Sequence, residues 1–335
     1  MNSKPFVAST RIRLARNLEG YQFPSHLKDE KQAKEIIRLV AATLSRLEEF
    51  SLYHMDSISK EKALALKENH LISANLIANK RISAVLINRD ESVSVMINEE
   101  DHLREQCIVK GLDLRGAYDK MSKIDSCISR AMKFAYDDEF GFLTACPTNI
   151  GTGLRASVMM FLPALTINGV MPDVIREIST LGFTVRGIYG EGSEAEGYMY
   201  QISNEVTLGV TEKQVLSQVE KAVEKLCKVE GEARQILADG PNSLELCDEC
   251  MRSYGILTNC AKLTTDELIR LSAYVKLGAC LGILNLDDIS LIDDLAVKMR
   301  PSNINSAAER ELSPLDRDIY RAQYTGKYLK KIFEK

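Results

Sequence analysis

At 335 residues, with 45% hydrophobic and 27% charged side chains, the chain has the proportions of a folded globular protein and room for two domains, each able to bury its own core. Disordered and fibrous classes are excluded, and disulfide staples are not needed. Forty-seven acidic against 43 basic residues leave a net charge of −4, so no global positive field recruits nucleic acid or anionic lipid, and an anionic ligand must meet local basic clusters.

Met1-Asn2-Ser3-Lys4-Pro5 lacks the apolar core of a secretory signal, and the longest mostly apolar run, 158–167, is about half a membrane span, so a cytoplasmic protein is expected. Residues 30–49 read as an amphipathic helix with Ile36, Ile37, Val40, Leu44 and Leu47 on one stripe. Short strands are expected at 84–87 and 93–97, joined by a turn at Asn88-Arg89-Asp90-Glu91. A helix over 116–136 follows, then an apolar segment at 142–146, a loop rich in Gly, Thr and Asn, and a stretch from Leu154 that Pro163 interrupts. Residues 183–189 and 198–202 read as strands flanking a loop rich in Gly and Glu.

Strands in neighbouring pairs favour an α+β fold, a mostly antiparallel sheet backed by helices. Thr211 and Gln214 form a capping box that opens a long helix with Val215, Val219, Ala222, Leu226 and Val229 on one stripe. A second box, Thr264 to Glu267, opens another helix, and no strand pattern is visible beyond about 241. The expected domains are therefore an α/β unit over 1–240 and a helical unit over 241–335. The eight cysteines are scattered, and only Cys247 and Cys250 form a close pair. With Cys227 and Cys260 nearby and no histidine beyond His102, free thiols are preferred over a zinc site.

Four segments carry the chemistry. Ser9-Thr10-Arg11-Ile12-Arg13 places Arg11 and Arg13 two apart, so both guanidinium groups leave one face of an extended segment. Asn98-Glu99-Glu100-Asp101-His102-Leu103-Arg104 gathers three carboxylates, an imidazole and a guanidinium after a strand end, open alike to metal binding, acid/base work or a salt-bridged turn. Gly151-x-Gly153-x-x-Ala156, with Asp173 downstream, fits the loose dinucleotide fingerprint. Pro147, the missing parallel βαβ pattern and Arg155 argue instead for a glycine loop that presents amides and an arginine to an anion. Arg186-Gly187-Ile188-Tyr189-Gly190-Glu191 adds an arginine on a strand and a glutamate in a loop. No lysine-bearing phosphate loop and no protein-kinase catalytic motif occurs.

Together, NEEDHLR, CPTNIGTGLRAS and RGIYGEGSEAEG resemble the phosphagen kinase superfamily from Ser9 to about Gly209, and within it most resemble the bacterial protein-arginine kinases. Arg11 lies too early for the N-terminal helical domain of the metabolite kinases, and Arg317-Asp318-Ile319-Tyr320-Arg321-Ala322 is similar to the RDxxRA phosphoarginine pocket of that family. The resemblance implies a phosphagen-kinase core of the glutamine-synthetase-like type, with ATP and Mg²⁺ as cofactors. Arg11, Arg13, Arg104, Arg155 and Arg186 would clamp the nucleotide phosphates, and Ser9, Thr10, Ile12, His70, Ala156, Ser157, Val158, Met159, Gly187, Ile188, Tyr189 and Gly190 complete the ATP-binding segments. Glu100 and Glu191 would hold the acceptor guanidinium, Cys146 would modulate substrate geometry, and Arg317, Asp318, Arg321 and Ala322 would form the phosphoarginine pocket. It further implies a homodimer, a zinc-binding activator protein, heat-shock repressor substrates and a Clp protease that degrades tagged proteins.

The residue types fit that chemistry independently. An arginine side chain stays protonated at neutral pH, so its nitrogen cannot attack until a carboxylate takes a proton. Glu100 is the candidate base, with Glu191 on the other edge of the planar fork. Two other readings are a kinase for free arginine or another small guanidine, and a non-catalytic adaptor that reads phosphoarginine. The first lacks the domain that closes a small-guanidine pocket; the second does not require the two glutamates and five arginines that are present.

Overall fold

The computed structural model describes residues 5–27, 29–187 and 195–333. Its strands are β1 (Val7–Arg16), β2 (Phe50–His54), β3 (Ala84–Asn88), β4 (Val93–Ile97), β5 (Leu103–Lys110), β6 (Tyr136–Asp137), β7 (Gly141–Phe142), β8 (Leu154–Phe161), β9 (Phe183–Gly187) and β10 (Met199–Asn204). The helices are α1 (Glu30–Leu44), α2 (Lys60–Glu68), α3 (Ala74–Ala78), α4 (Leu114–Ala131), α5 (Pro163–Ile167), α6 (Met171–Thr180), α7 (Glu212–Asp239), α8 (Ser243–Asn259), α9 (Thr265–Cys280), α10 (Ser290–Lys298), α11 (Pro301–Ala307) and α12 (Pro314–Phe333). Eight strands form one sheet in the order β2-β3-β4-β5-β1-β8-β10-β9, every neighbouring pair antiparallel, and β6 and β7 form a separate hairpin. This is the expected α+β architecture, and no described residue after β10 is in a strand.

The two faces of the sheet are covered differently, and that difference creates the site. One face is mostly apolar: Ile12 and Leu14, Val95, Leu103, Ala156, Val158 and Ile202 pack with the buried stripes of α1, α4 and α7 in one core, with Arg16 and Glu105 buried on the same face. The other face is covered at the β2–β4 end by α2 and α3, where Val85, Ile87 and Met96 pack with Leu66, Leu71 and Leu76. Near the end of β8, Phe161 on that face meets Ala273 and Leu277 of α9. Between these covers, the middle strands present polar and charged side chains. The double cover also explains why β3 and β4 are buried at all five positions and read as unbroken apolar runs.

Several elements end earlier than their patterns suggest. The first helix stops at Leu44, and Leu47 is 45% exposed, because the chain turns at once to enter the edge strand β2. α4 starts at Leu114, where Asp113 Oδ1 accepts from Gly116 N at 2.8 Å, and stops at Ala131. Beyond it Phe134 and Ala135 pair with Leu18 and Asn17 instead of continuing the helix. Only Gly141 and Phe142 of the expected segment 142–146 or its border are in a strand.

The 28-residue α7 opens with the expected capping box, Thr211 Oγ1 accepting from Gln214 N and Gln214 Oε1 from Thr211 N. Its far end is tied to the sheet by a buried pair. Glu230 accepts from Ala164 N at 3.1 Å and Leu165 N at 3.0 Å, at the start of α5, and from Arg234 Nε at 2.7 Å. Arg234 also donates to Phe161 O at 3.1 Å and lies 4.5 Å from the Phe6 ring centroid. The helices after α7 build a second core around Leu257, Leu268, Leu271, Val275, Leu295 and Leu329.

Removing one partner from a buried ion pair strands the other charge, so Glu230→Ala is expected to lower unfolding free energy by about 3–5 kcal/mol. Urea denaturation measures this, and a loss below about 1 kcal/mol would show that the pair does not hold α7.

Candidate active site

Strand alternation places Arg11 and Arg13 of β1, Arg104 of β5, Arg155 of β8 and Arg186 of β9 on the uncovered part of the sheet. In register, Arg13 stands opposite Arg155, Ala15 opposite Arg104, and Gln201 of β10 opposite Arg186. These side chains line a cleft of about 300 Å³ together with Glu99, Glu100, Asp101, Cys146 and Asn149. The expectation that Arg11 and Arg13 share a face is met.

Several arginines are aimed by neighbours. Arg11 Nη2 donates to Gln201 Oε1 at 2.8 Å, Arg155 Nη2 to Ser203 Oγ at 3.1 Å, and Arg104 Nη1 to both Glu99 oxygens at 3.2 Å. The Nε atoms of Arg13 and Arg155 are buried without a hydrogen-bond partner. Burial and the neighbouring Arg11, Arg104, Arg155 and Arg186 hold the Arg13 guanidinium well below its ordinary pKa. Arg155 is lowered by burial and by Arg186 and Arg104. Clustered like charges with unused donors suit an anion with several oxygens, such as a nucleotide polyphosphate.

The acidic motif divides its tasks. It forms a tight turn between β4 and β5, with Asn98 in the left-handed region at φ 57° and donating Nδ2 to Ala33 O and Ile82 O. Glu99 is buried, accepts from Ser73 Oγ at 2.5 Å, and fixes Arg104. Asp101 Oδ1 accepts from Asn17 Nδ2 and Ala145 N, both at 2.6 Å. His102 uses both ring nitrogens on backbone: Nδ1 accepts from Leu18 N at 3.1 Å and Nε2 lies 2.9 Å from Gln22 O. Burial lowers its pKa to about 4. The imidazole is thus a neutral packing element, which decides between the alternatives left open for it by the sequence. Glu100 alone is exposed, at the cleft, and partial burial, then Asp101 and Glu99, push its carboxyl above the usual range.

The glycine loop brings Cys146 and Arg155 to the same cleft. Cys146 Sγ lies 3.1 Å from Thr148 Oγ1. Gly151 has φ 111°, and a Cβ there would meet Thr207 O at 2.2 Å; Gly153 has φ 62° and packs on Ala15 O. Arg16 fixes the loop from the core side, donating Nη1 to Thr152 O at 2.9 Å and Nε to Asp125 at 3.0 Å. An antiparallel strand, β8, follows Gly153 where a dinucleotide turn would open a helix, so the fingerprint is a coincidence of spacing.

Beside the cleft, Ser9, Arg11, His70, Ile108, Ser157, Met159 and Gln201 line a more apolar hollow of about 170 Å³. His70 is left-handed at φ 60°, its carbonyl accepts from Gln106 Nε2 at 2.7 Å, and burial, Arg11 and Arg300 lower its pKa to about 4. Of the other expected ATP contacts, Ile12, Ala156 and Val158 point into the core, and Thr10 donates Oγ1 to Gly111 O. Gly187 ends β9; Ile188, Tyr189, Gly190 and Glu191 lie outside the described residues. The sequence reading missed Gln201, inside the expected strand 198–202, and Ser203, just beyond its expected end, because their cross-strand partners are not visible in residue order.

In the last helix, Arg317 and Arg321 are one turn apart, but their guanidinium groups part company. Arg317 donates to Leu312 O at 2.7 Å. Arg321 is 1% exposed and donates to Met299 O at 2.9 Å, Leu263 O at 2.6 Å and Asp318 Oδ1 at 2.6 Å. Ala322 is buried against the second core.

Residues 32–233 match the ATP:guanido phosphotransferase, C-terminal catalytic domain, and residues 243–335 match the protein-arginine kinase McsB C-terminal domain. The chain is 40% identical over 333 residues to a protein-arginine kinase of Caldanaerobacter subterraneus subsp. tengcongensis, covering 98% of each. It is 39% identical to one of Clostridium acetobutylicum, again covering 98% of each. Among solved structures, the duplicated taurocyamine kinase of Schistosoma mansoni with bound transition-state-analogue components superposes with TM-score 0.63 at 27% identity, over 79% of this chain and 38% of that one. A lombricine kinase shares the fold, with TM-score 0.61 at 24% identity over 70% of this chain and 67% of its own. With an open arginine face and a family match over most of its length, the chain belongs to the ATP:guanido phosphotransferases and is a phosphotransferase enzyme.

Proposed function

We propose that this protein transfers the γ-phosphoryl group of ATP to arginine side chains of proteins. The observation that carries the reading is the row of five guanidinium groups on the uncovered sheet face with Glu100 in the same cleft. The C-terminal match and the names of the relatives support a protein acceptor.

In this reading Arg11, Arg13, Arg104, Arg155 and Arg186 hold the phosphates and spread the charge that develops on the transferring group. The adjoining hollow beside His70 takes the nucleoside. Among the described residues no carboxylate, histidine or cysteine cluster could hold a metal, so Mg²⁺ would be carried by the nucleotide, where it would supply neutralisation of phosphate charge beside the arginines. Glu100 orients the acceptor guanidinium and accepts the proton its nitrogen must lose; that nitrogen then attacks phosphorus as the bond to ADP breaks. Glu191 clamps the far edge of the guanidinium, and Cys146, at the cleft wall, adjusts its position.

The same reading divides the chain into a catalytic domain, 1–240, and a regulatory domain, 241–335, supported by the separate cores and family matches. It extends, on family grounds, to a homodimer, a zinc-binding activator, a heat-shock repressor substrate and a Clp protease acting in stress response and protein degradation. A cytoplasmic site accords with eight free thiols, and no described helix is long and apolar enough to cross a membrane.

Glu100→Gln is expected to keep nucleotide affinity while lowering kcat by about 10² or more. Because the base must be ionised and its pKa is raised, turnover should fall with decreasing pH at a limb above the ordinary carboxylate value of 4.5, and Asp101→Asn should move that limb down. Near-wild-type kcat in Glu100→Gln would remove the residue from the mechanism.

Protein-embedded arginine should be phosphorylated and free arginine poorly. Incubation with Mg·ATP, followed by mass spectrometry that preserves the acid-labile N–P bond, distinguishes the acceptors; equal kcat/KM for both would favour a small-guanidine kinase.

The segment 317–322 is proposed to bind phosphoarginine, with Arg317 toward the phosphate and Asp318 toward the ligand guanidinium, while Arg321 holds Asp318 and buried Ala322 backs the helix. Asp318→Ala and Arg317→Ala should weaken phosphoarginine binding in a calorimetric titration. Arg321→Ala should in addition destabilise the helical region by about 1–3 kcal/mol, because buried carbonyls lose their donor. Unchanged affinity in all three variants would leave the segment as scaffold.

A further inference from the structure

Three consecutive residues join the helical region to the nucleotide side of the sheet. Glu68, the last residue of α2, accepts from Ser302 N at 3.0 and 2.9 Å and from Asn303 N at 2.9 Å, in the first turn of α11. Asn69 Oδ1 accepts from Asn303 Nδ2 at 2.8 Å, and Asn303 Nδ2 also donates to Val297 O at 2.9 Å. The third residue is His70, which lines the hollow shared by Arg11, Met159 and Gln201.

His70 holds a left-handed backbone that is unfavourable for a residue with a Cβ and persists only where the surroundings over-determine it. Those surroundings are visible. Gln106 Nε2 binds the His70 carbonyl from β5, and His70 N donates to Lys67 O at 2.9 Å. Glu68 and Asn69 supply the restraint from the other side by fastening the end of α2 to α11. Burial, then the charges of Arg11 and of Arg300, the residue before α11, lower the pKa of the His70 ring to about 4.

We propose that Glu68 is a positioning residue of the nucleotide site: by clamping the start of α11 it fixes His70 in its left-handed pose, so that the helical region sets the affinity for ATP without touching the reacting atoms. The inference rests on reading the arginine cleft and its adjoining hollow as an ATP site. It deepens that reading by assigning part of ATP affinity to a contact between the two halves of the chain. Glu68 is well suited to the task, because one carboxylate satisfies two backbone N–H groups that begin a helix and would otherwise be unpaired.

Steady-state kinetics of the full chain with a protein substrate test the clamp. Glu68→Ala should raise KM for Mg·ATP about fivefold or more, with kcat and the KM for the protein substrate within about twofold of wild type. Asn303→Ala, which keeps the carboxylate, should shift the same parameter in the same direction by less. In a His70→Ala background, Glu68→Ala should add little further loss, because a residue that acts through another is non-additive with it. An unchanged KM for Mg·ATP in both single variants, or losses that multiply in the double variant, would overturn the clamp while leaving the kinase reading intact. No ATP-dependent transfer by the wild-type chain would overturn both. Should Glu68→Ala fail to fold, Asn303→Ala and its double variant with His70→Ala decide the question alone.

Discussion

Like-charge repulsion on one bare stretch of sheet is the constraint around which this molecule is arranged. Arg13 and Arg155 stand directly opposite on adjacent strands, and Arg11, Arg104 and Arg186 share the cleft with them. Each guanidinium lowers the pKa of its neighbours, as like charges gathered in one partly buried cleft must. Glu99 offsets the charge of Arg104, its partner at 3.2 Å, and no comparable carboxylate is bonded to Arg13 or Arg155 among the described residues. Such a face survives because the opposite face buries one continuous apolar core, whose hydrophobic contribution is far larger than the repulsion. A polyanion placed in the cleft would relieve that repulsion, which ties any affinity for phosphate to the clustering of like charge.

The acid side of the site follows from a division of burial. Within five residues, Glu99, Asp101 and His102 are sealed and committed to Arg104, to Asn17 with Ala145, and to the backbone of Leu18 and Gln22. Their commitments hold the turn rigid. Glu100 is then the carboxylate left at the cleft, and its own partial burial, followed by the charges of Asp101 and Glu99, raises its pKa. Asp101 also reaches Ala145, the residue before Cys146, so the carboxylate turn and the cysteine loop keep a fixed relation.

Much of this was legible in residue order, for physical reasons. Period-two alternation put Arg11 and Arg13 on one side of a strand whatever the tertiary structure, and a capping box fixed the start of α7. The antiparallel arrangement followed from strands that come in neighbouring pairs. What the sequence could not carry was cover. The strands at 84–88 and 93–97 are apolar on both faces, but nothing in them says that α2 and α3 supply the second layer, because those helices are short and the edge strand β2 is half exposed. Gln201 and Ser203 were ordinary polar strand residues until the sheet order placed them beside β8 and β9.

Arg321 shows the same limit with a sharper consequence. Helical spacing placed it with Arg317 on one face and suggested two forks for one phosphate. Three donors of Arg321 are occupied by partners that lie 58 and 22 residues away and one turn back, and long-range carbonyls of this kind leave no trace in a local pattern. Burial of a guanidinium is tolerable only when its donors are used, so the sealing and the bonding are one fact and not two. A ligand that needed Arg321 would have to break those bonds first, and its affinity would be reduced by their replacement cost. A ligand that met Arg317 and Asp318 would instead exploit a carboxylate already oriented by Arg321 and leave the buried bonds of Arg321 in place. By that difference in reorganisation, frame and contact would fall to different residues of one short helix segment, which spacing alone makes look equivalent.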